Sequence, residues 1–161
     1  MFSMKSPNFS SKLSIVSVIV LIFSAALSYR PIFSVGPIQP NLILISLIVI
    51  GFFIRSVGFF ILLAALSSIL ARQTPVLFDS ISVGVSIGGF LAFFVKQRAV
   101  WPDRMGVGLL VALGTLAMHA VVGPSFIFNH PGALVLEILA AIVFALALFE
   151  LLSVLLGRSH E

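Results

Sequence analysis

The stretch IQPNLILISLIVIGFFIRSVGFFILLAALSSILA, residues 38–71, decides the fold. Its only charge is Arg55, with Ser56 and Gly58 just beyond it. As one helix rising 1.5 Å per residue, these 34 residues would extend roughly 51 Å, far past a hydrocarbon core of about 30 Å. Two short spans joined by a tight turn at Arg55 fit a bilayer better, which predicts one span over 38–54 and a second over 56–72. Outward from there, an apolar run over 13–29 lies upstream, led by Lys5 and Lys12. Further runs over 75–95, 105–122 and 133–156 lie downstream. The chain therefore reads as an all-α integral membrane protein, a compact bundle of six transmembrane helices with five as the alternative count. The connections are short, so residues 1–161 form a single transmembrane domain.

Composition agrees. Of 161 residues, 60% are apolar and 9% are charged, against about 25% charged in an ordinary soluble domain. A soluble fold of this size leaves too much surface in water to hide that content, and disorder is excluded by the same apolarity. The basic residues are scattered singly, so a high isoelectric point does not point to nucleic acid. With no cysteine, disulfide scaffolds, iron–sulfur clusters and Cys-ligated zinc are excluded.

Charge placement orients the bundle. With six spans and a cytoplasmic N-terminus, Lys5, Lys12, Arg55, Lys96, Arg98, Arg104 and Arg158 lie inside, and Arg30 and Arg72 outside. That is a positive-inside bias over short loops, with both termini cytoplasmic. Five spans would bury Arg55 at mid-membrane and send Lys96, Arg98 and Arg104 outside. The first run, with Ser24-Ala25-Ala26 near its end, shares features with a signal peptide, but it is long enough to remain as a span. Punctuation falls between runs: Tyr29-Arg30-Pro31 and Gly36-Pro37 in the first outer connection, Gln73-Thr74-Pro75 opening the fourth span, and Trp101-Pro102-Asp103 opening the fifth.

Ionisable side chains within spans are expensive and so are candidate functional groups. Asp79, His119 and Glu137 each fall about one turn from the outer end of a span, and with His130 and Arg72 they form a candidate outer-face polar cluster. Such a cluster either serves a ligand, proton or partner, or consists of partly wet groups that snorkel and pair locally. Glu150 is deeper in the last span, 13 positions from Glu137 and about 220° around the helix, so the two do not share a face. It either faces the bundle or reaches Arg158 at the inner surface.

Small residues mark a second feature. Ser80, Gly84 and Gly88 recur at four-residue spacing in the fourth span, a pattern that lets helix backbones approach closely. It serves internal packing or a partner seam. Ala64, Ala65, Ser67, Ser68 and Ala71 in the third span, and Gly108, Ala112, Gly114 and Thr115 in the fifth, are the matching small positions. No phosphate loop, zincin pattern or nucleophile elbow occurs. The size invites comparison with lipoprotein signal peptidases, but Asp79 and Asp103 fall at opposite membrane faces and cannot share a proton or a water. The chain reads as a non-enzyme with no catalytic residue, cofactor, metal or nucleic-acid partner.

Several segments in order resemble the MreD family of bacterial rod shape-determining membrane proteins. They are Pro40-Asn41-Leu42-Ile43-Leu44 opening the second span, the basic turn Arg55-Ser56-Val57-Gly58, the segment 64–72 with Pro75, the Gly-rich segment 82–89, and Leu113-Gly114-Thr115-Leu116. The resemblance covers residues 39–123, roughly half of the chain. It departs where the family often has an acidic residue ending its third span, since Leu70-Ala71-Arg72 stands there. The resemblance implies a scaffold in the bacterial cytoplasmic (inner) membrane that binds a single-span MreC-like partner. Through that partner it would join the MreB filament and the synthases of side-wall peptidoglycan. The alternative is a small-molecule-binding membrane subunit, similar to the capture components of energy-coupling-factor transporters. Asp79, His119 and Glu137 would then be its ligand anchors.

Overall fold

A computed structural model describes residues 7–28, 40–72, 79–98 and 102–157. Among them every regular element is an α-helix: α1 (Pro7–Ser28), α2 (Leu42–Phe53), α3 (Val57–Leu70), α4 (Ser80–Arg98), α5 (Asp103–Val122), α6 (Pro124–Asn129) and α7 (Pro131–Leu155). By length and apolarity α1, α4, α5 and α7 can each cross a membrane. The chain thus fits a multi-pass membrane protein. At 12 and 14 residues, α2 and α3 are about 18 and 21 Å long. Lys5, Arg30, Pro31, Gly36, Pro37, Gln73, Thr74, Pro75, Trp101 and Arg158 lie outside the described residues.

The stretch 38–71 breaks at the expected place. α2 ends at Phe53, Ile54 turns extended, and exposed Arg55 precedes Ser56, whose hydroxyl accepts from Phe59 N–H at 3.4 Å to start α3. Every residue of α2 is buried. A helix apolar all round belongs in the middle of a bundle, and α2 sits there with α1, α3, α4, α5 and α7 packed around it. Its first turn is closed by Asn41, whose side-chain oxygen accepts from Leu44 N–H at 3.0 Å while its amide donates to Met118 Sδ at 3.4 Å.

Cross-helix contacts fix the directions. Leu44 lies against Gly88, and the α2 carbonyls at Gly51 and Phe52 face Lys96, so α2 and α4 run parallel. Phe60 stacks on Phe93 at 4.0 Å near one end of α4, and Ser68 bonds Ser86 and the Ser82 carbonyl near the other, so α3 runs antiparallel to α4. α5 opposes α4 through Gly88–Gly114 and Gly84–Met118. α7 opposes α5, with Arg104–Glu150 at one end and His119–Glu137 at the other. α1 packs on α2, tied to it by a 2.6 Å hydrogen bond between the Ser24 and Ser46 hydroxyls. Arg55, Lys96, Arg98 and Arg104 therefore gather at one end of the bundle, and Asn41, Asp79, His119 and Glu137 at the other.

The small-residue face of α4 packs inward. A Cβ on Gly88 would come within 2.7 Å of the Gly114 carbonyl oxygen, so the α4 and α5 backbones all but touch there. At Gly84 the added atom would meet Val122 and Met118 side chains at 2.9 and 3.0 Å. Ser80, by contrast, is exposed at the first turn of α4 and takes no part in this contact. Two expectations shift. The fourth-span helix begins at Ser80 within the described residues, and a short helix, α6, fills the connection between the last two spans.

Candidate functional site: polar groups at the two ends of the bundle

At one end, His119 in the last turn of α5 faces Glu137 in the second turn of α7, with Nε2 3.0 Å from Oε2. The side chains are only 15% and 7% exposed. A carboxylate in this environment needs a donor, and imidazole supplies one either neutral, through Nε2–H, or as imidazolium. Phe126 of α6 stacks on the His119 ring at 4.9 Å and also contacts the His130 ring at 5.5 Å. α6 thus covers the pair with an aromatic face, while Phe128 on its other side is 81% exposed. The arrangement can hold one proton between two side chains and tie α5 to α7.

Asp79, at the same end, also serves its own helix. It stands at the start of α4 rather than a turn inside it. Its carboxylate accepts from Ile81 N–H at 3.4 Å and from the Ser80 hydroxyl at 3.5 Å, and its backbone carbonyl accepts from Val83 N–H at 3.0 Å. That is an N-cap, the position Asp most favours at a helix end. The structure therefore joins His119 to Glu137 and assigns Asp79 to its own helix. Glu150 resolves as well. It pairs with Arg104 at 2.8 Å, half-exposed at the opposite end, which puts it at the surface and not in the bundle interior.

The group that sequence reasoning missed is Lys96. Its ammonium leaves the last turn of α4 and donates to the carbonyls of Gly51 and Phe52, each at 2.9 Å, with Ile54 O at 3.5 Å. It also lies over the Phe52 ring, 5.3 Å from the centroid. The last carbonyls of a helix lack intrahelical partners, and deep in a bundle water does not reach them readily. Lys96 therefore closes the C-terminal end of α2 from a neighbouring helix, as Asn41 closes the other end from within the chain. Serine hydroxyls do similar work between α3 and α4, where Ser68 links Ser86 to the Ser82 carbonyl.

Among the described residues no group of three or more His, Asp or Glu side chains is placed to hold a metal ion. No protein-family model, curated protein or solved structure matches this chain.

Proposed function

We propose that this chain crosses a bacterial cytoplasmic membrane six times with both termini inside, and that it acts as a non-enzymatic scaffold of the cell-elongation machinery. In this reading α1, α2, α3, α4, α5 and α7 are the spans. The end carrying Arg55, Lys96, Arg98 and Arg104 faces the cytoplasm, in keeping with the positive-inside rule. The 12-residue α2 serves as a span because it is buried in protein and capped at both ends by side chains, and the bilayer thins locally around the short hydrophobic stretch of the 14-residue α3.

One observation carries the scaffold reading. Several polar side chains inside the bundle hold helices together: Asn41 and Lys96 on the ends of α2, Ser24 on Ser46, Ser68 on α4, and His119 on Glu137. Such a body is rigid and presents its outer helix faces to lipid and to other membrane helices. The resemblance of residues 39–123 to the MreD family names the partner, a single-span MreC-like protein, and through it the synthases of side-wall peptidoglycan. A second reading, a substrate-binding subunit of an energy-coupling-factor type transporter, draws on the buried His119–Glu137 pair under Phe126.

Affinity purification of the tagged protein from its native membrane in mild detergent separates the two. Recovery of an MreC-like protein with elongation synthases is the expected result. Recovery of an ATPase pair with a coupling membrane subunit would overturn it in favour of the second reading.

A further inference from the structure

The outer helices of this bundle differ in length, and the shortest and longest stand on different sides. α3 packs on α1, α2 and α4, and α7 packs on α2, α5 and α6. Both meet the central α2 but not each other, so α2 stands between them. The 14 residues of α3 make a helix about 21 Å long, whereas the 25 residues of α7 reach about 38 Å. Side chains repeat the difference. On α3 the exposed large apolar residues run from Val57 to Ile69, about 18 Å, and on α7 from Val135 to Leu155, about 30 Å.

Backbone fixes the short side. A side chain such as Arg55 can snorkel toward a headgroup, but a peptide group has no stem to do so. Residues 54–56 leave the helix between α2 and α3, and Arg55 and Ser56 are exposed. α3 then opens on exposed Val57 and Gly58, whose N–H groups belong to the first turn and have no intrahelical partner. Exposed backbone of this kind does not occur inside hydrocarbon, so water or headgroups reach Val57. At its other end α3 stops at Leu70, and Arg72 follows two residues on. Hydrocarbon along α3 is therefore held to about 21 Å, about 9 Å short of an ordinary core of about 30 Å. α7 is long enough to cross such a core unaided.

Bulk decides what covers the short face. Where α4 and α5 meet most closely they do so on small residues, Gly88 and Gly114. The outer stripe of α3 is instead Ile61, Leu62 and Ile69, each between 48% and 68% exposed, with Ala65 the one small residue of the stripe. Bulky side chains standing free match fluid acyl chains and not a close helix seam. We propose that the α3 side of the bundle is a thin-membrane surface, which takes phospholipids with short hydrocarbon chains while the α7 side takes chains of ordinary length. The proposal rests on the six-span reading, in which α3 crosses the bilayer, and on nothing about elongation or transport.

The test compares the lipid at the two faces. Trp101 is the sole tryptophan, so Trp101→Phe gives a silent background for Leu62→Trp on α3 and Val143→Trp at the middle of α7, both positions 68% exposed. Full-length protein is reconstituted in vesicles that mix brominated dioleoyl phosphatidylcholine, which quenches tryptophan on contact, with unbrominated dimyristoleoyl phosphatidylcholine, whose chains are shorter. The short lipid should relieve quenching about three-fold more effectively at Leu62→Trp than at Val143→Trp, because a mismatch of several Å shifts lipid occupancy by that order. Dierucoyl phosphatidylcholine, whose chains are longer, should reverse the order. Ile61→Trp reads the same face if Leu62→Trp does not fold. Equal relief at both faces would overturn the thickness difference, and quenching on α7 without quenching on α3 would overturn lipid as the occupant. Maleimide labelling of Ser56→Cys keeps this apart from the six-span reading. If Ser56→Cys labels from the side opposite Ser125→Cys, equal relief overturns this inference alone; if it labels from the same side, both fall.

Discussion

Replacing Lys96 by Met tests whether the central helix depends on a cap supplied by its neighbour. Methionine keeps most of the apolar stem and removes the three donors. The carbonyls of Gly51 and Phe52, each now 2.9 Å from the ammonium, would lose their partner at the end of a helix whose every residue is buried. Hydrogen bonds to a charged group contribute about 1.5–3 kcal/mol in soluble proteins. Measured values in membrane bundles are smaller, averaging about 0.6 and reaching about 1.7 kcal/mol. The end of a helix dipole adds roughly 0.3–1 kcal/mol for a cation placed there. Two charge-assisted bonds plus the dipole give about 2–3 kcal/mol, since the 3.5 Å contact to Ile54 is too long to add much. Reversible unfolding in mixed micelles, or steric trapping in bicelles, would read this directly. Lys96→Arg should recover part of the loss, because a guanidinium supplies donors but in a wider planar fork. A Lys96→Met protein within about 0.5 kcal/mol of the parent would refute the cap, because exposed surface changes have effects of that size.

Gly88→Ala should destabilise by about 1–3 kcal/mol, because its Cβ would meet the rigid Gly114 carbonyl at 2.7 Å, whereas Gly84→Ala, facing side chains that can shift, should lose less than half as much in detergent melting curves. Gly108→Ala, with ordinary contact to Ile142 at 3.6 Å, should be neutral or stabilising by up to about 1 kcal/mol in the same assay. Glu137→Leu should lower stability by about 1–2 kcal/mol by leaving His119 without its partner, and the double variant His119→Phe/Glu137→Leu should recover most of it; strictly additive effects would refute the pair. Glu150→Gln should change unfolding free energy by less than about 0.5 kcal/mol, because the Arg104–Glu150 pair is exposed.

The long apolar runs were legible because a bilayer demands length and apolarity, and both can be read without any partner. The break at Arg55 was legible because a charge followed by Ser56 and Gly58 interrupts an otherwise uniform stretch. His119 and Glu137 could be set at one depth from topology alone, and the structure makes them neighbours. Asp79 was placed at that end too, but its role turned on where α4 starts, and a carboxylate at a helix start is claimed first by its own backbone. α6 went unnoticed because six residues are too few to set up a helical period, leaving Pro124 at its first turn as the one local sign. Lys96 could not be assigned from sequence. Its acceptors are backbone carbonyls more than 40 positions away, and a backbone acceptor leaves no mark on residue identity.

Six crossings depend on α2 and α3 passing through the bilayer as separate spans, and cysteine accessibility decides this most directly. The parent chain has no cysteine, so each single variant reports one position. Ser56→Cys, Ser125→Cys and Gly157→Cys would be treated in intact cells and in inverted membrane vesicles with a charged maleimide that does not cross membranes. Six crossings require Ser56→Cys and Gly157→Cys to label only in inverted vesicles and Ser125→Cys only in intact cells. Ser56→Cys labelled alongside Ser125→Cys, or shielded from both sides as in a hairpin that turns back at mid-membrane, would contradict the six-span bundle.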